Sequence, residues 1–390
     1  MRVVLAGGGS GGHVTPLRAI ANSLQSKESQ NLEISVISDR AFFEQTQFLF
    51  KDSPTISLKK IYSGKFRRYH SKSLLWHITH APTVFKNLRD TFLIVIGIVQ
   101  VILQFLAHKP DVVFCKGGYV CVPVGIAARL FKIPLIIHDS DTHPGLTNRF
   151  LSRWAVKIGT GMPTKYYQYP QSKMIYSGIP VQKEFRPSTL KEQKTAKSDL
   201  GFATDKPLVL VTGGGTGAHE LNKATLAVVE KLLQAKWQVA LITGKGKSSE
   251  ALKVYDNLAS ELRAGFVVKE FAEMLPFAVA ADVVVSRAGA TAMQEFANLQ
   301  KAVILVPSPY LTGGHQLKNA AMFAENNAAL VLQELDLQNN PELLLESLKK
   351  VFEDKKFANN LAQNLYREFA KPNATDEIAS VITSMLEARE

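Results

Sequence analysis

Cysteine is almost absent from this chain. Cys115 and Cys121 are the only two in 390 residues, five positions lying between them. That spacing is neither a zinc-ligand pattern nor part of a disulfide framework, and it fits a reducing, cytoplasmic compartment. No metal is expected; His77 and His80, three apart, are not read as a ligand pair. Acid is missing from one region. Lys59 to Arg89 carries Lys59, Lys60, Lys65, Arg67, Arg68, Lys72, Lys86 and Arg89 without one Asp or Glu. Basic charge is accordingly concentrated in the first half, with 24 Lys and Arg against 10 acids in residues 1–190 and 22 against 24 afterwards. Such an imbalance implies a polyanionic surface near that half, either nucleic acid or anionic membrane. Long apolar runs are also scarce. The one exception, Thr91–Ala107, is 17 residues interrupted by Gly97, Gln100 and Gln104. A bilayer span takes about 20 apolar residues, so a buried or membrane-surface helix is the better expectation. Its position after the basic stretch, with Trp76 nearby, favours anionic lipid over nucleic acid. The opening MRVVLAGGG reads as a strand entering a glycine loop, not as a signal peptide.

What is present is a repeated alternation of short apolar runs and helical segments. RVVLAG, LEISVIS, DVVFCKGG and IPLIIHDSD read as strands, with helices over Pro16–Gln25 and around VPVGIAARLF. Runs without clean polar alternation indicate strands covered on both faces, as in a parallel sheet. The pattern restarts at Pro207 with PLVLVTGGGTGA, then WQVALITGKG, GFVVKEF, ADVVVSRAGA and AVILVPSP. The expected fold is therefore α/β, with two Rossmann-like doubly wound domains facing across a cleft. The boundaries are read as 1–177 and 178–373, with a C-terminal helix at about 374–390 packing on the first domain.

Three stretches carry chemistry. Gly7, Gly9 and Gly12 satisfy G-x-G-x-x-G, which by itself says only that an anion is welcome near a helix N-terminus. Asp39, at the end of the second strand, is the acid that a dinucleotide site would use. His13, however, stands where an adenosine pyrophosphate would dock, which argues against a nicotinamide cofactor. A second glycine loop, Gly213–Ala218, opens the second half. SRAGATAMQEF (Ser286–Phe296) then leads a strand through a turn into a helix. Thr291 and Ala292 would present N–H groups to a diphosphate, and Glu295, one turn deeper, could accept both hydroxyls of a ribose.

These residues stand within seven motifs in fixed order: GGGSGGHVTP, CKGGYVCVP, HDSDTHPGLTNR, GIPV, GGGTGAHELN, SRAGATAMQE and GGHQLKNA. Together they resemble the MurG family, membrane-associated transferases that move N-acetylglucosamine from UDP-GlcNAc to lipid I to form lipid II in peptidoglycan synthesis. The resemblance covers nearly the whole chain and implies a GT-B fold. It assigns lipid I and the anionic membrane surface to the N-terminal domain, through Lys59–Arg89 and Thr91–Ala107, and the nucleotide sugar to the C-terminal one. On the acceptor side it implies Gly11, Gly12, His13 and Tyr119, with the 138–141 segment beside them. On the donor side it implies Ser10, Gly11, Gly12, Asp141, Gln182, Arg186, Gly214, Gly215, Asn222, Phe271, Ala272, Arg287, Ala290, Thr291, Ala292, Glu295, His315 and Gln316. It further implies a peripheral location on the cytoplasmic face of the bacterial cell membrane, association with a cell-wall synthesis complex, no nucleic-acid partner and no required cofactor.

The expected reaction inverts the anomeric centre by direct displacement, the departing UDP being stabilised by helix dipoles and hydroxyl or basic groups. The acceptor hydroxyl then needs a general base, for which His13 is the candidate and Asp139 and Asp141 are rivals. Three departures from the family pattern bear on single contacts. They are His138-Asp139-Ser140-Asp141 in place of HEQN or HESD, Gln182 where an arginine is common, and Gly215-Thr216 for Ser-Gln. Another GT-B lipid glycosyltransferase acting on diacylglycerol, and an NAD-dependent oxidoreductase, stand as alternatives.

Overall fold

A computed structural model describes residues 1–9, 11–27, 32–65, 79–214, 217–310 and 314–388. Ser10, Gly215 and Thr216, together with Arg67, Arg68, Lys72, Trp76 and His77 of the basic stretch, lie outside the described residues.

The chain forms two units, Met1–Lys183 with Asn373–Glu390, and Glu184–Pro372. The first holds a seven-stranded sheet of β1 (Arg2–Gly7), β2 (Glu33–Asp39), β3 (Ser57–Ile61), β4 (Val112–Gly117), β5 (Leu135–Asp139), β6 (Lys157–Thr160) and β7 (Met174–Tyr176), in the order β3-β2-β1-β4-β5-β6-β7. The second holds β8 (Leu208–Thr212), β9 (Gln238–Ile242), β10 (Phe266–Lys269), β11 (Val283–Ser286), β12 (Ala302–Leu305) and β13 (Leu330–Val331), ordered β10-β9-β8-β11-β12-β13. Every pairing is parallel. The unbroken Val, Ile and Leu runs follow from this arrangement, since β4, β5, β8, β9, β11 and β12 are buried along their whole lengths. Sequence order reverses between β1 and β4 in one sheet and between β8 and β11 in the other. The loops leaving the carboxyl ends of such neighbouring strands diverge and leave a crevice, the usual ligand position in open α/β sheets.

The first crossing between units comes after Lys183, six residues beyond the expected boundary at 177/178. Residues 178–183 stay with the first unit because they are bonded to it. The Gly178 carbonyl lies 2.8 Å from His138 Nε2, Val181 O accepts the Thr375 hydroxyl at 2.6 Å, and Lys183 pairs with Asp376 at 3.4 Å. The last helix, Ala374–Glu387, inserts Ile378, Ala379, Ile382 and Leu386 into the core built on Val3, Leu5, Leu17, Val36 and Phe114. The Ser23 hydroxyl also donates to Asp376 at 2.7 Å.

Two local expectations shift. The first helix spans Gly11–Lys27, so Pro16 sits inside it and His13 falls in its first turn. The apolar run belongs to a longer helix, Ala81–Ala107, by length and composition able to cross a membrane. Its inner face carries Asp90, Ile94, Gly97, Val101 and Phe105 into the unit. Gln100, one of the interrupting residues, accepts the Tyr62 N–H at 2.8 Å. Its outer face exposes Phe85, Leu88, Phe92, Val95, Val99, Leu103 and Leu106. Those positions recur every three or four residues, so the helix is amphipathic with an apolar side turned outward.

Candidate functional site

In the first unit the β1 and β4 loops meet backbone to backbone. A Cβ on Gly118, whose φ is +83°, would lie 2.0 Å from the Gly8 carbonyl oxygen, and one on Gly8 would lie 2.2 Å from Asp39 Oδ1. Glycine is required at both places by contact alone, and at Gly118 by conformation as well. Asp39 ties the assembly together. Its Oδ1 accepts the Gly9 N–H at 2.8 Å and its Oδ2 accepts the Tyr119 hydroxyl at 2.9 Å. The carboxylate that a dinucleotide site would turn to ribose is thus spent on the loop, and so is the Tyr119 hydroxyl.

His13 stands in the first turn of the helix that begins at Gly11, where backbone N–H groups lack partners within the helix. Its Nδ1 lies 2.8 Å from Gly8 O. A carbonyl only accepts, so the proton sits on Nδ1 and Nε2 carries the lone pair. The ring packs over Gly117 and Gly118, whose Cβ positions would fall 3.3 and 3.1 Å from its nitrogens. Burial first, and then the Lys116 ammonium, hold the imidazole below its ordinary value, against the opposing pull of the Gly8 bond, Asp141 and Asp39.

The two rival acids differ in setting. Asp139 is buried at the end of β5, with Oδ2 accepting the Tyr169 hydroxyl at 2.8 Å. Burial and Asp141 push its carboxyl up to about 7, against the hydrogen bond from Tyr169 and the charge of Lys116. Asp141 is partly exposed. Aspartates one residue apart can share a divalent cation, but here the intervening Ser140 accepts from the Lys116 ammonium, whose charge opposes one. Among the described residues no group of three His, Cys, Asp or Glu side chains has metal-binding geometry.

Lys116, Asn148 and Tyr169 received no role from the sequence. Asn148 Nδ2 donates to His138 O at 2.9 Å and fixes the 138–148 segment from below. The signal for Lys116 was a lysine inside the buried strand β4, immediately before the double glycine.

In the second unit Gly214 (φ +73°) turns the β8 loop, with Gly217 N–H closing on Gly214 O at 2.9 Å. Asn222 is buried in the following helix, His219–Gln234, and donates to Thr243 O at 3.0 Å, bracing this loop against the one after β9. Beyond β11, the helix Ala290–Asn298 starts at Gly289 without a capping side chain, so Ala290, Thr291 and Ala292 supply its first N–H groups. Glu295, one turn deeper, is 8 % exposed with no hydrogen-bonding side-chain partner among the described residues. Burial alone pushes its carboxyl up to about 8.

The remaining donor candidates fall in different settings. Phe271 and Ala272 lie between β10 and the helix Met274–Ala280, Phe271 exposed. His315 and Gln316 open the helix His315–Glu325, with Gln316 accepting the Ser308 N–H at 2.9 Å. Arg287 is buried, donating to Val306 O at 2.8 Å and paired with Glu334, which commits its guanidinium within the unit. Arg186 is exposed and paired with Glu192 at 2.7 Å, where Glu192 closes the capping box of the helix Leu190–Asp199 with Thr189. Gln182 is partly exposed in the segment held to the first unit.

Comparison with known proteins agrees with this arrangement. Residues 3–160 match the glycosyltransferase family 28 N-terminal domain and residues 208–378 the family 28 C-terminal domain. A Bacillus cereus protein named UDP-N-acetylglucosamine–N-acetylmuramyl-(pentapeptide) pyrophosphoryl-undecaprenol N-acetylglucosamine transferase 2 is 33 % identical over 388 residues, covering 99 % of both chains. A Lachnospira eligens protein named as the corresponding N-acetylglucosamine transferase is 36 % identical over 356 residues, 91 % of this chain and 92 % of its own. The crystal structure of Acinetobacter baumannii MurG superposes with a TM-score of 0.67 at 25 % identity, covering 98 % of this chain and 99 % of that one. These relatives favour neither the oxidoreductase nor the diacylglycerol alternative. With its two parallel α/β units and GT-B fold, the chain belongs to the MurG family of glycosyltransferases.

Proposed function

We propose that this enzyme transfers N-acetylglucosamine from UDP-GlcNAc to lipid I, giving lipid II and UDP, the reaction for which its relatives are named. The observation that carries the catalytic reading is the state of His13: its proton is committed to Gly8 O, so a basic Nε2 stands beside a loop suited to a diphosphate. In this reading His13 Nε2 takes the proton of the acceptor hydroxyl as that oxygen attacks the anomeric carbon. The carbon–oxygen bond to UDP breaks with its electron pair leaving on the diphosphate. Helix N-terminal N–H groups at 290–292 stabilise that charge without a metal. Asp141 is the remaining rival; Asp139 is disfavoured because its carboxyl is buried and bonded to Tyr169. Glu295 accepts the ribose hydroxyls, for which a buried carboxyl with no hydrogen-bonding partner among the described residues is suited.

The outward face of Ala81–Ala107 supports a peripheral seat on the cytoplasmic face of the membrane, where lipid I is held. Eight exposed large apolar residues, from Val84 to Leu106, run along about 33 Å of helix at 1.5 Å per residue. Such a stripe fits an interfacial helix, with the basic charge of the Lys59–Arg89 region suited to anionic headgroups. Arg89 contributes less, being paired with the buried Asp90 at 2.7 Å. Association with a cell-wall synthesis complex remains part of the proposal. Incubating the purified enzyme with UDP-GlcNAc and lipid I tests the reaction; absence of lipid II with both substrates bound would reject it.

A further inference from the structure

Lys116 is only 1 % exposed, yet it forms no ion pair among the described residues. Its ammonium donates to the neutral hydroxyl of Ser140. Burying a charge without a bonded counter-charge is costly, and such a residue calls for a use. Its place in the chain suggests one. Lys116 directly precedes Gly117 and Gly118, the two residues over which the His13 ring packs.

We propose that Lys116 is a positioning residue for His13, its fixed ammonium keeping the imidazole in the neutral, proton-accepting form that the transfer requires. The inference rests on the reading of His13 as the base. The charged and titratable groups around His13 come from three strands. Asp39 ends β2, with Tyr119 bonded to it, Asp141 lies beyond β5, and Lys116 stands on β4. Asp139 and His138, on β5, interact with Lys116 in turn. The carboxylates of Asp141 and Asp39 favour imidazolium; burial opposes them most, and Lys116 is the charged group that adds to it. Burial lowers the lysine itself to about 8, against the pull of Asp139 and Asp141. It therefore still carries its charge throughout the range below pH 7 in which a histidine would protonate. The bond to Ser140 also fixes the segment that carries Asp141, so one side chain supplies a charge that acts on His13 and anchors a second group that acts on it.

The test is an NMR titration of His13 in the intact enzyme, its signal identified by loss in His13→Ala, for wild type, Lys116→Met and Lys116→Arg. Lys116→Met should raise the His13 midpoint by about one pH unit, a roughly tenfold gain in proton affinity, and Lys116→Arg should restore it. The acid limb of kcat/KM for the acceptor should move by the same amount, with turnover recovering at high pH. An unchanged or lowered midpoint in a folded variant overturns the inference, as does a loss of turnover equal at every pH. If Lys116→Met does not fold, Lys116→Gln, which can still bond the Ser140 hydroxyl, is held to the same expectation. The midpoint is read without substrates and stands apart from the functional reading, which fails separately if His13→Ala keeps full turnover.

Discussion

Tyr119 and Asp39, eighty residues apart in sequence, are joined by a 2.9 Å hydrogen bond from the phenol to Oδ2, while Oδ1 of the same carboxylate holds the Gly9 N–H. This pair locks the β1 loop to the β4 loop and so sets the backbone on which His13 rests. Asp39→Ala removes the acceptor shared by the half-buried Gly9 N–H and Tyr119 hydroxyl, a loss of about 1–3 kcal/mol. Acceptor turnover should fall at least tenfold with UDP-GlcNAc binding to the second unit unchanged. Calorimetric titration with UDP alongside steady-state kinetics checks the split.

His13→Ala removes the proposed base and should reduce kcat by about 10²–10⁴-fold, the usual range for general-base loss. UDP-GlcNAc affinity should survive. Wild-type turnover in this variant would remove the histidine from the mechanism and leave Asp141 as the base.

Glu295 predicts a pH dependence of donor binding. Its carboxyl keeps a proton up to about pH 8 in the free protein, whereas hydroxyls donating to it favour the ionised form. UDP-GlcNAc affinity should therefore rise with pH through neutrality and level off above about 8, and Glu295→Gln should bind more weakly with a flat profile. A pH-independent donor Kd in the wild type contradicts the assignment.

The same residue affects stability with a defined sign. The unfolded chain releases this proton in the ordinary glutamate range, but the native state holds it to about pH 8. Between those limits the native state binds the extra proton, so its stability falls as pH rises. Glu295→Gln should consequently melt higher than wild type at pH 8 and about equally at pH 4. Differential scanning calorimetry at the two pH values measures this; a lower melting temperature for the variant at pH 8 would contradict it.

The apolar face of Ala81–Ala107 should bind vesicles. Leu88→Glu with Leu103→Glu, two exposed positions on that face, should weaken flotation with anionic vesicles by about tenfold or more, with soluble-donor binding intact. Salt should weaken wild-type binding too, through the lysines. Undiminished flotation of the double variant would dismiss this helix as the contact.

The alternation of buried strands and helices was legible because parallel strands covered on both faces read as unbroken Val, Ile and Leu runs. The strands β3, β6, β7 and β13 were not legible, being short or at sheet edges. β3 carries Lys59 and Lys60 and is exposed along part of its length, so it reads as a basic stretch rather than a strand. The motif glycines marked both loops, but Asp39 could not be read as a brace, because its partners Gly9 and Tyr119 lie 30 and 80 residues away. Lys116 went unassigned for a related reason: nothing local to CKGG says that its ammonium ends buried on Ser140 beside His13. Arg186 and Arg287 stand among the donor-side residues that the resemblance implies, and nothing in the motifs shows that they pair with Glu192 and Glu334. Pairing between distant segments is what sequence spacing does not carry.

The central claim is that this chain moves N-acetylglucosamine onto lipid I. The most direct measurement supplies radiolabelled UDP-GlcNAc and lipid I in anionic vesicles, and follows label into lipid alongside release of UDP. Equal formation of lipid II and UDP, lost in His13→Ala and in Glu295→Ala, is the predicted result. UDP release without labelled lipid II, or transfer to diacylglycerol in preference to lipid I, would contradict it.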